Sequence, residues 1–141
     1  MSTSEGGQLI VCTGAKVSPV CAAAMDSFLN DRPGAACRFV MREWLHDEQF
    51  RSATLLWIMD GSEPWDVVQF ALRNRIPLLV PEDNFAMKEV CRNAGCGMYY
   101  GNAPEACLCL HLLVEETGLR ERMGQSGYLY FQQTLRSLRD R

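Results

Sequence analysis

Residues 50–101, FRSATLLWIMDGSEPWDVVQFALRNRIPLLVPEDNFAMKEVCRNAGCGMYYG, decide the fold, because short apolar runs alternate in them with polar turns and helical patterns. The apolar runs at 54–59 and 76–80 are each followed by an acidic turn and a helical pattern, and a third run begins at 97. Continuous apolar runs this short are typical of parallel strands covered on both faces. The stretch therefore predicts strand–helix units of a parallel sheet, in which ligands bind outside the carboxyl ends of the strands.

The flanking sequence continues this alternation in both directions. The predicted segments are strands at 8–13, 37–41, 54–59, 76–80 and 97–100, and helices at 19–30, 46–52, 64–74, 85–93, 103–116 and 119–138. Ser18 is a suitable N-cap for the first helix, and Gly118 is expected to interrupt the chain before the last one. The order predicts an α/β fold: a single doubly wound, Rossmann-like domain at 8–141, with about five parallel strands, helices on both faces and a long C-terminal helix.

Composition excludes several classes of function. The net charge of -3 at pH 7 gives no electrostatic reason to expect nucleic-acid binding, which normally shows a basic patch, so none is predicted. No stretch approaches the ~20 apolar residues that a membrane span needs. The first residues, MSTSEGGQ, lack the basic start and apolar core of a signal peptide. We therefore expect a cytoplasmic protein in which residues 1–7 form a disordered leader.

The seven cysteines are interpreted as reduced, buried thiols. Their number is odd, and most of them lie inside apolar runs. Cys107 and Cys109 do not form a CxxC motif, and no set of cysteines and histidines has the spacing of a zinc site. The sequence therefore predicts neither a metal site nor a cofactor.

The motifs of common catalytic and nucleotide-binding sites are absent. A GxGxxG fingerprint would follow the first strand, but residues 13–18 offer only Gly14. There is no Walker P-loop and no GxSxG elbow, and of the residues that a receiver domain needs only Asp60 is roughly in place. His111 lies in an apolar helical pattern, where a core role is more common than that of a catalytic base. No catalytic residue is predicted, and the sequence leaves enzymatic activity undecided.

A longer pattern over residues 37–125 resembles the C-terminal, nucleotide-sugar-binding half of GT-B retaining glycosyltransferases. In that family a strand with an acidic loop is followed by a helix, a Gly-x-Pro-Val-Val strand, a Glu-Val pair and a closing helix. The matching segments here are 39–40, 47–54, DGSE at 60–63, VVQFAL at 67–72, RIPLLV at 75–80, EV at 89–90, CGMYY at 96–100 and ETGLRERMG at 116–124. The resemblance implies a Rossmann-like fold that binds a nucleotide or a nucleotide-sugar.

The chain departs from the pattern of this family at the donor site. The second family glutamate falls at Phe70 or Gln69, neither of which is a carboxylate able to accept hydrogen bonds from both ribose hydroxyls. Pro64 and Trp65 replace a glycine-rich loop, the cation pair that neutralises the diphosphate is not evident, and the acceptor domain is missing. The resemblance therefore implies a truncated and degenerate donor-binding half that is inactive alone.

The resemblance and the carboxyl-end rule together select a set of candidate donor-binding residues. They are Gly14, Lys16, Asp60, Ser62, Glu63, Asn84 and Glu89. The polar turn at 60–63 either contacts a ligand or caps the next helix. The acidic turn at 82–84 either contacts a ribose or forms a helix start that the helix dipole favours.

The last helix supports a second hypothesis. Its apolar positions include Leu119, Met123, Tyr130, Phe131 and Leu135. If these side chains are left partly exposed, they form a patch for a homodimer or for another protein partner. Two functions are thus expected: a glycosyltransferase-like domain that binds a nucleotide or nucleotide-sugar, or a non-catalytic interaction or regulatory module that uses the same half-fold as a scaffold.

Overall fold

The computed structural model describes residues 8–14, 17–31, 37–41 and 50–139. Five strands and five helices follow one another within these ranges, and their bounds lie within two residues of the predicted ones. They are β1 Gln8–Thr13, α1 Pro19–Asp31, β2 Cys37–Met41, β3 Leu55–Ile58, α2 Trp65–Arg73, β4 Leu78–Pro81, α3 Phe85–Ala94, β5 Gly97–Tyr100, α4 Ala103–Glu115 and α5 Thr117–Arg139.

The strands form one parallel sheet in the order β2-β1-β3-β4-β5. Ile10 of β1 pairs with Leu55 of β3, and Leu78 of β4 pairs with Gly97 of β5. The chain first moves outward from β1 to β2 and then returns past β1 to β3. In open parallel sheets ligands bind beside such a reversal, at the carboxyl ends of the strands. The predicted Rossmann-like α/β fold is confirmed.

Helices cover both faces of the sheet, which explains why the strand sequences are apolar throughout. Leu56 and Ile58 of β3 belong to an apolar cluster shared with α2, α3 and α5. Leu55 and Trp57 belong to a second cluster, shared with α1 and α4. All four side chains are fully buried. A strand buried on both faces has no polar alternation, so the continuous apolar run at 54–59 was the correct signal.

Two glycines let α5 approach the rest of the domain closely. A Cβ added to Gly124 would overlap the carbonyl oxygen of Arg75, which follows α2 in a left-handed conformation with φ of 59°. A Cβ added to Gly127 would lie 2.9 Å from the Cβ of Cys96. Gly118 does not interrupt the chain as expected, because α4 ends before Glu116 and α5 already includes Gly118 in its first turn.

Some expectations fall outside the described residues. These are the leader at 1–7, Lys16, and the part of the short helix expected at 46–52 that precedes Phe50. Residues 50–52 form a turn. Within the described ranges, no helix has both the length and the apolar character needed to cross a bilayer.

Candidate functional site

A pocket of about 460 Å³ opens at the carboxyl ends of β3, β4 and β5. Its volume is in the range of small-molecule sites in proteins. The described part of the chain lines it with Ser18, Val20, Met59, Asp60, Gly61, Pro81, Glu82, Asp83, Tyr100 and Gly101. The predicted edge of the sheet therefore carries a pocket, beside the first turn of α1.

Asn84 holds the two loops next to this pocket together. Its Nδ2 donates to the carbonyl oxygens of Asp60 at 2.9 Å and Ser62 at 2.8 Å. Its Oδ1 accepts from the backbone N–H of Met87 at 3.2 Å and so caps α3. The residue is only 3% exposed. Asn84 thus ties the loop after β3 to the start of α3, and its side chain acts on the pocket by positioning that loop.

Gly14 and Asp60 meet between the ends of β1 and β3. A Cβ on Gly14 would lie 3.2 Å from Cγ of Asp60, and Gly14 has φ of 152°, which favours glycine. One oxygen of the Asp60 carboxylate accepts from the backbone N–H of Ser62 at 2.9 Å, an arrangement typical of an aspartate-stabilised turn. The two predicted residues are therefore neighbours, and Asp60 faces the pocket.

The wall of the pocket is acidic. Glu82 and Asp83 are exposed residues directly after β4. The carboxylate of Glu82 lies 3.0 Å from the position of a Cβ on Gly101, so Gly101 gives it room. Among the described residues that line the pocket are Asp60, Glu82 and Asp83, and none of these described residues is a lysine or an arginine. Ionised carboxylates only accept hydrogen bonds, so this wall suits hydroxyl groups or cations and opposes phosphate.

The floor of the pocket is a buried hydrogen-bonded group. The indole Nε1 of Trp57 donates to the hydroxyl of Tyr100 at 2.9 Å, and Sγ of Cys21 lies 3.5 Å from the same hydroxyl. Burial, together with the neighbouring Cys21 thiol, raises the pKa of Tyr100. The phenol therefore stays protonated, and its two partners, Trp57 from β3 and Cys21 from α1, keep the floor in place.

Other predicted site residues lie around the pocket or away from it. Ser62 and Glu63 are exposed in the loop after β3, where Oε1 of Glu63 accepts from Nε1 of Trp65 at 3.3 Å. Glu89 lies on the exposed side of α3 and pairs with Arg92 at 3.1 Å. Neither glutamate is among the residues that line the pocket.

Sequence reasoning missed several residues that line the pocket, among them Tyr100 and Gly101. Neither Tyr100 nor Gly101 is among the candidate residues selected from the sequence. Both stand at the carboxyl end of β5, as Asp60 does after β3. Applying the carboxyl-end rule to every strand would have found them.

The apolar residues selected on α5 do not form one exposed patch. Met123 packs against the cluster under α1 and α4, whereas Tyr130 and Phe131 pack against the cluster on the other face. Leu119 is half-buried and Leu135 is exposed. A groove of about 140 Å³ runs between the C-terminal half of α5 and helices α2 and α3. It is lined by Trp65, Val68, Gln69, Leu72, Val90, Tyr130, Phe131, Thr134, Leu135 and Leu138.

Comparisons with known proteins bear on the fold. Neither the protein-family models nor the curated proteins give a match. Among solved structures, the chain is similar to the crystal structure of the glycosyltransferase SnogD from Streptomyces nogalater, with a TM-score of 0.59 and 17% sequence identity. The match covers 92% of this chain and 39% of that chain. The protein therefore has a glycosyltransferase-like, Rossmann-type fold and spans well under half the length of that neighbour.

Proposed function

We propose that this chain is a glycosyltransferase-like domain that binds the hydroxyl-rich part of a nucleotide or nucleotide-sugar, without transferring sugar by itself. The observation that carries the proposal is the acidic pocket at the carboxyl ends of β3, β4 and β5. In a fold of this class that edge is where ligands bind. The likeness to a glycosyltransferase supports the choice of ligand class through the fold alone.

The charges of the pocket indicate which part of the ligand it holds. Asp60, Glu82 and Asp83 offer carboxylate oxygens, and the hydroxyls of a ribose or a hexose are their natural donors. The same charges repel a diphosphate. Lys16 follows Gly14 by two residues in the sequence, and we assign it the role of the cation that offsets this repulsion. With one such cation, we expect weak binding.

The experiment is an amide NMR titration of the labelled protein with UDP, GDP, ADP and several UDP-sugars. We expect shifts at the carboxyl ends of β3, β4 and β5, and a preference for one base. Asp83→Asn should weaken binding roughly tenfold or more, because hydrogen bonds to charged groups contribute about 1.5–3 kcal/mol.

Two further variants test whether the ligand binds in the pocket or on the surface around it. Glu89→Gln on the exposed side of α3 is the matched control and should leave affinity unchanged. Glu63→Ala tests the residue that the resemblance places at the donor, and we expect it to weaken binding. An absence of shifts at millimolar ligand would rule out the proposed function. Equal losses of affinity in Asp83→Asn and Glu89→Gln would show that the ligand binds outside the pocket.

A second candidate function is self-association through α5. This helix has 23 residues, whereas α2 and α3, on which it packs, have nine and ten. Its last residues, 133–139, are exposed, and Leu138 is 59% exposed at one end of the apolar groove. We propose a second copy of this chain as the occupant, since two such helix ends can cover each other in a symmetric dimer.

Sedimentation velocity over a range of concentrations tests the dimer. Leu138→Glu should shift the equilibrium towards monomer. Leu108→Glu is the matched control, because Leu108 on α4 is also 59% exposed and lies outside the groove. A wild-type protein that stays monomeric at all concentrations would exclude self-association, and capture of a different protein would replace the proposed occupant.

A further inference from the structure

Three side chains that can bind a metal meet between α1 and α4. Cys107 and His111 stand one turn apart on α4, and Asp31 is the last residue of α1. Nε2 of His111 lies 3.0 Å from Oδ2 of Asp31, and Sγ of Cys107 lies 3.9 Å from the same oxygen. One ligand atom from each residue lies within 4.8 Å of the other two. None of the three lines the acidic pocket.

The surroundings hold the imidazole ring of His111 in one orientation. The ring packs against Phe28, with 4.8 Å between the ring centroids. Its Nδ1 lies 3.3 Å from Oε2 of Glu115, one turn further along α4. In the tautomer whose Nδ1–H donates to Glu115, the lone pair of Nε2 faces the Asp31 carboxylate. Two acceptors then point at one another, which is an arrangement that a cation between them satisfies.

We propose that Asp31, Cys107 and His111 bind a zinc ion, with Glu115 orienting His111 and the fourth coordination position open to water. A thiolate, an imidazole and a carboxylate are all zinc ligands, at about 2.3, 2.0–2.1 and 2.0–2.2 Å respectively. A carboxylate behind a metal-bound histidine is the common outer partner.

The geometry needs little change to accept the ion. In a tetrahedral site, those bond lengths place ligand atoms roughly 3.3–3.6 Å apart. The present separations of 3.0 to 4.8 Å bracket that range. The side chain of Asp31 is 59% exposed at a helix end, so it can shift, whereas Cys107 is only 9% exposed and is held by the core.

Two other roles for the cluster fit less well. A nucleophilic cysteine needs an accessible sulfur in an electropositive environment, but Cys107 is buried and its sulfur lies 3.9 Å from the Asp31 carboxylate. A protonated His111 between two carboxylates would be a surface ion pair, which contributes little, and the Cys107 thiol adds to it only a long contact of 3.9 Å with Asp31. The sequence predicted no metal because Cys107 and His111 form only an i, i+4 pair, and Asp31 is 76 residues from Cys107.

Cobalt titration of the chelator-treated full chain tests the site. Co²⁺ replaces Zn²⁺ in tetrahedral sites and reports a bound thiolate by a charge-transfer band in the near ultraviolet. We expect this band, intense visible bands, and displacement of both by Zn²⁺. Zinc should also raise the thermal unfolding temperature of the wild type.

Variants identify the ligands. Asp31→Asn and Cys107→Ser should each weaken Co²⁺ binding at least about 100-fold, because loss of an outer partner alone typically costs 10–100-fold. Asp31 is exposed, so its variant keeps the fold even if Cys107→Ser does not. Glu115→Gln should weaken binding by about 10–100-fold while keeping the charge-transfer band.

The matched control is Cys109→Ala, which removes a buried thiol of the same helix outside the cluster. It should retain the charge-transfer band. Any of three results would overturn the proposal: no charge-transfer band in the wild type, equal Co²⁺ affinity in the wild type and Asp31→Asn, or loss of the band in Cys109→Ala but not in Cys107→Ser.

Discussion

Replacement of Asn84 tests whether the loops around the acidic pocket are held together by one side chain. Asn84 caps α3 through its Oδ1 and bridges two carbonyl oxygens of the preceding loop through its Nδ2. Asn102 has the same residue type and the same N-cap role in α4, where its Oδ1 accepts from Glu105 at 2.9 Å. Asn102 is exposed, whereas Asn84 is buried. The two positions therefore differ mainly in the bridge.

The expected effects follow from the numbers of hydrogen bonds. Loss of an asparagine N-cap costs about 1 kcal/mol, within a range of roughly 0.5–2. Each bond of Asn84 to a loop carbonyl contributes about 0.5–1.5 kcal/mol, so the pair adds about 1–3. We expect Asn84→Ala to lower the free energy of unfolding by about 2–4 kcal/mol and Asn102→Ala to lower it by about 1.

Aspartate substitutions separate the cap from the bridge. Asn102→Asp should be nearly neutral, because aspartate caps a helix as well as asparagine does. Asn84→Asp keeps the cap but places a carboxylate oxygen against two carbonyl oxygens that now lie 2.9 and 2.8 Å from an amide nitrogen. It should therefore destabilise by at least as much as Asn84→Ala.

Urea unfolding followed by far-ultraviolet circular dichroism measures all four variants. A further readout is the NMR titration described above, in which Asn84→Asp should also weaken ligand binding because the loop after β3 is released. Equal costs of Asn84→Ala and Asn102→Ala would show that the bridge contributes nothing. A neutral Asn84→Asp would refute the assigned directions of its hydrogen bonds.

Three other predictions concern the core. Gly124→Ala should destabilise the protein by about 1–3 kcal/mol, because the added Cβ overlaps the backbone of Arg75. Gly118→Ala, at an exposed position on the same helix, should stabilise it by up to about 1 kcal/mol, and urea unfolding compares the two variants. Tyr100→Phe leaves the fully buried indole N–H of Trp57 without its acceptor and should cost about 1–3 kcal/mol in the same assay; a cost near zero would contradict the floor described above. Burial, with a smaller contribution from the Glu105 carboxylate, raises the pKa of Cys109 from 9.0 to about 11. The stability that the protonated thiol contributes is therefore complete below pH 9 and is lost as the pH rises towards 11. The free energy of unfolding, measured across that window, should fall less steeply in Cys109→Ala than in the wild type.

The residues of the candidate site could be predicted from the sequence only in part. Asp60 and Gly14 were found because they directly follow strands, and position after a strand is a local property. Glu89 was selected from the resemblance but lies on the exposed side of α3, more than one helical turn after the loop that follows β4, and it does not line the pocket. Asn84 was selected as a ligand contact, and its burial with three hydrogen bonds is a property of two loops that only the fold brings together.

The sequence by itself determined the order of strands and helices, the parallel sheet and the Ser18 cap of α1. These depend on neighbours within one or two turns of the chain, and on apolar runs whose period reports burial. Only the tertiary structure decided which side chains meet. Trp57 reaches Tyr100 across 43 residues, and Asp31 reaches His111 across 80. Such pairs depend on the order of the strands in the sheet and on how the helices pack on it, and a single sequence carries no local signal of either.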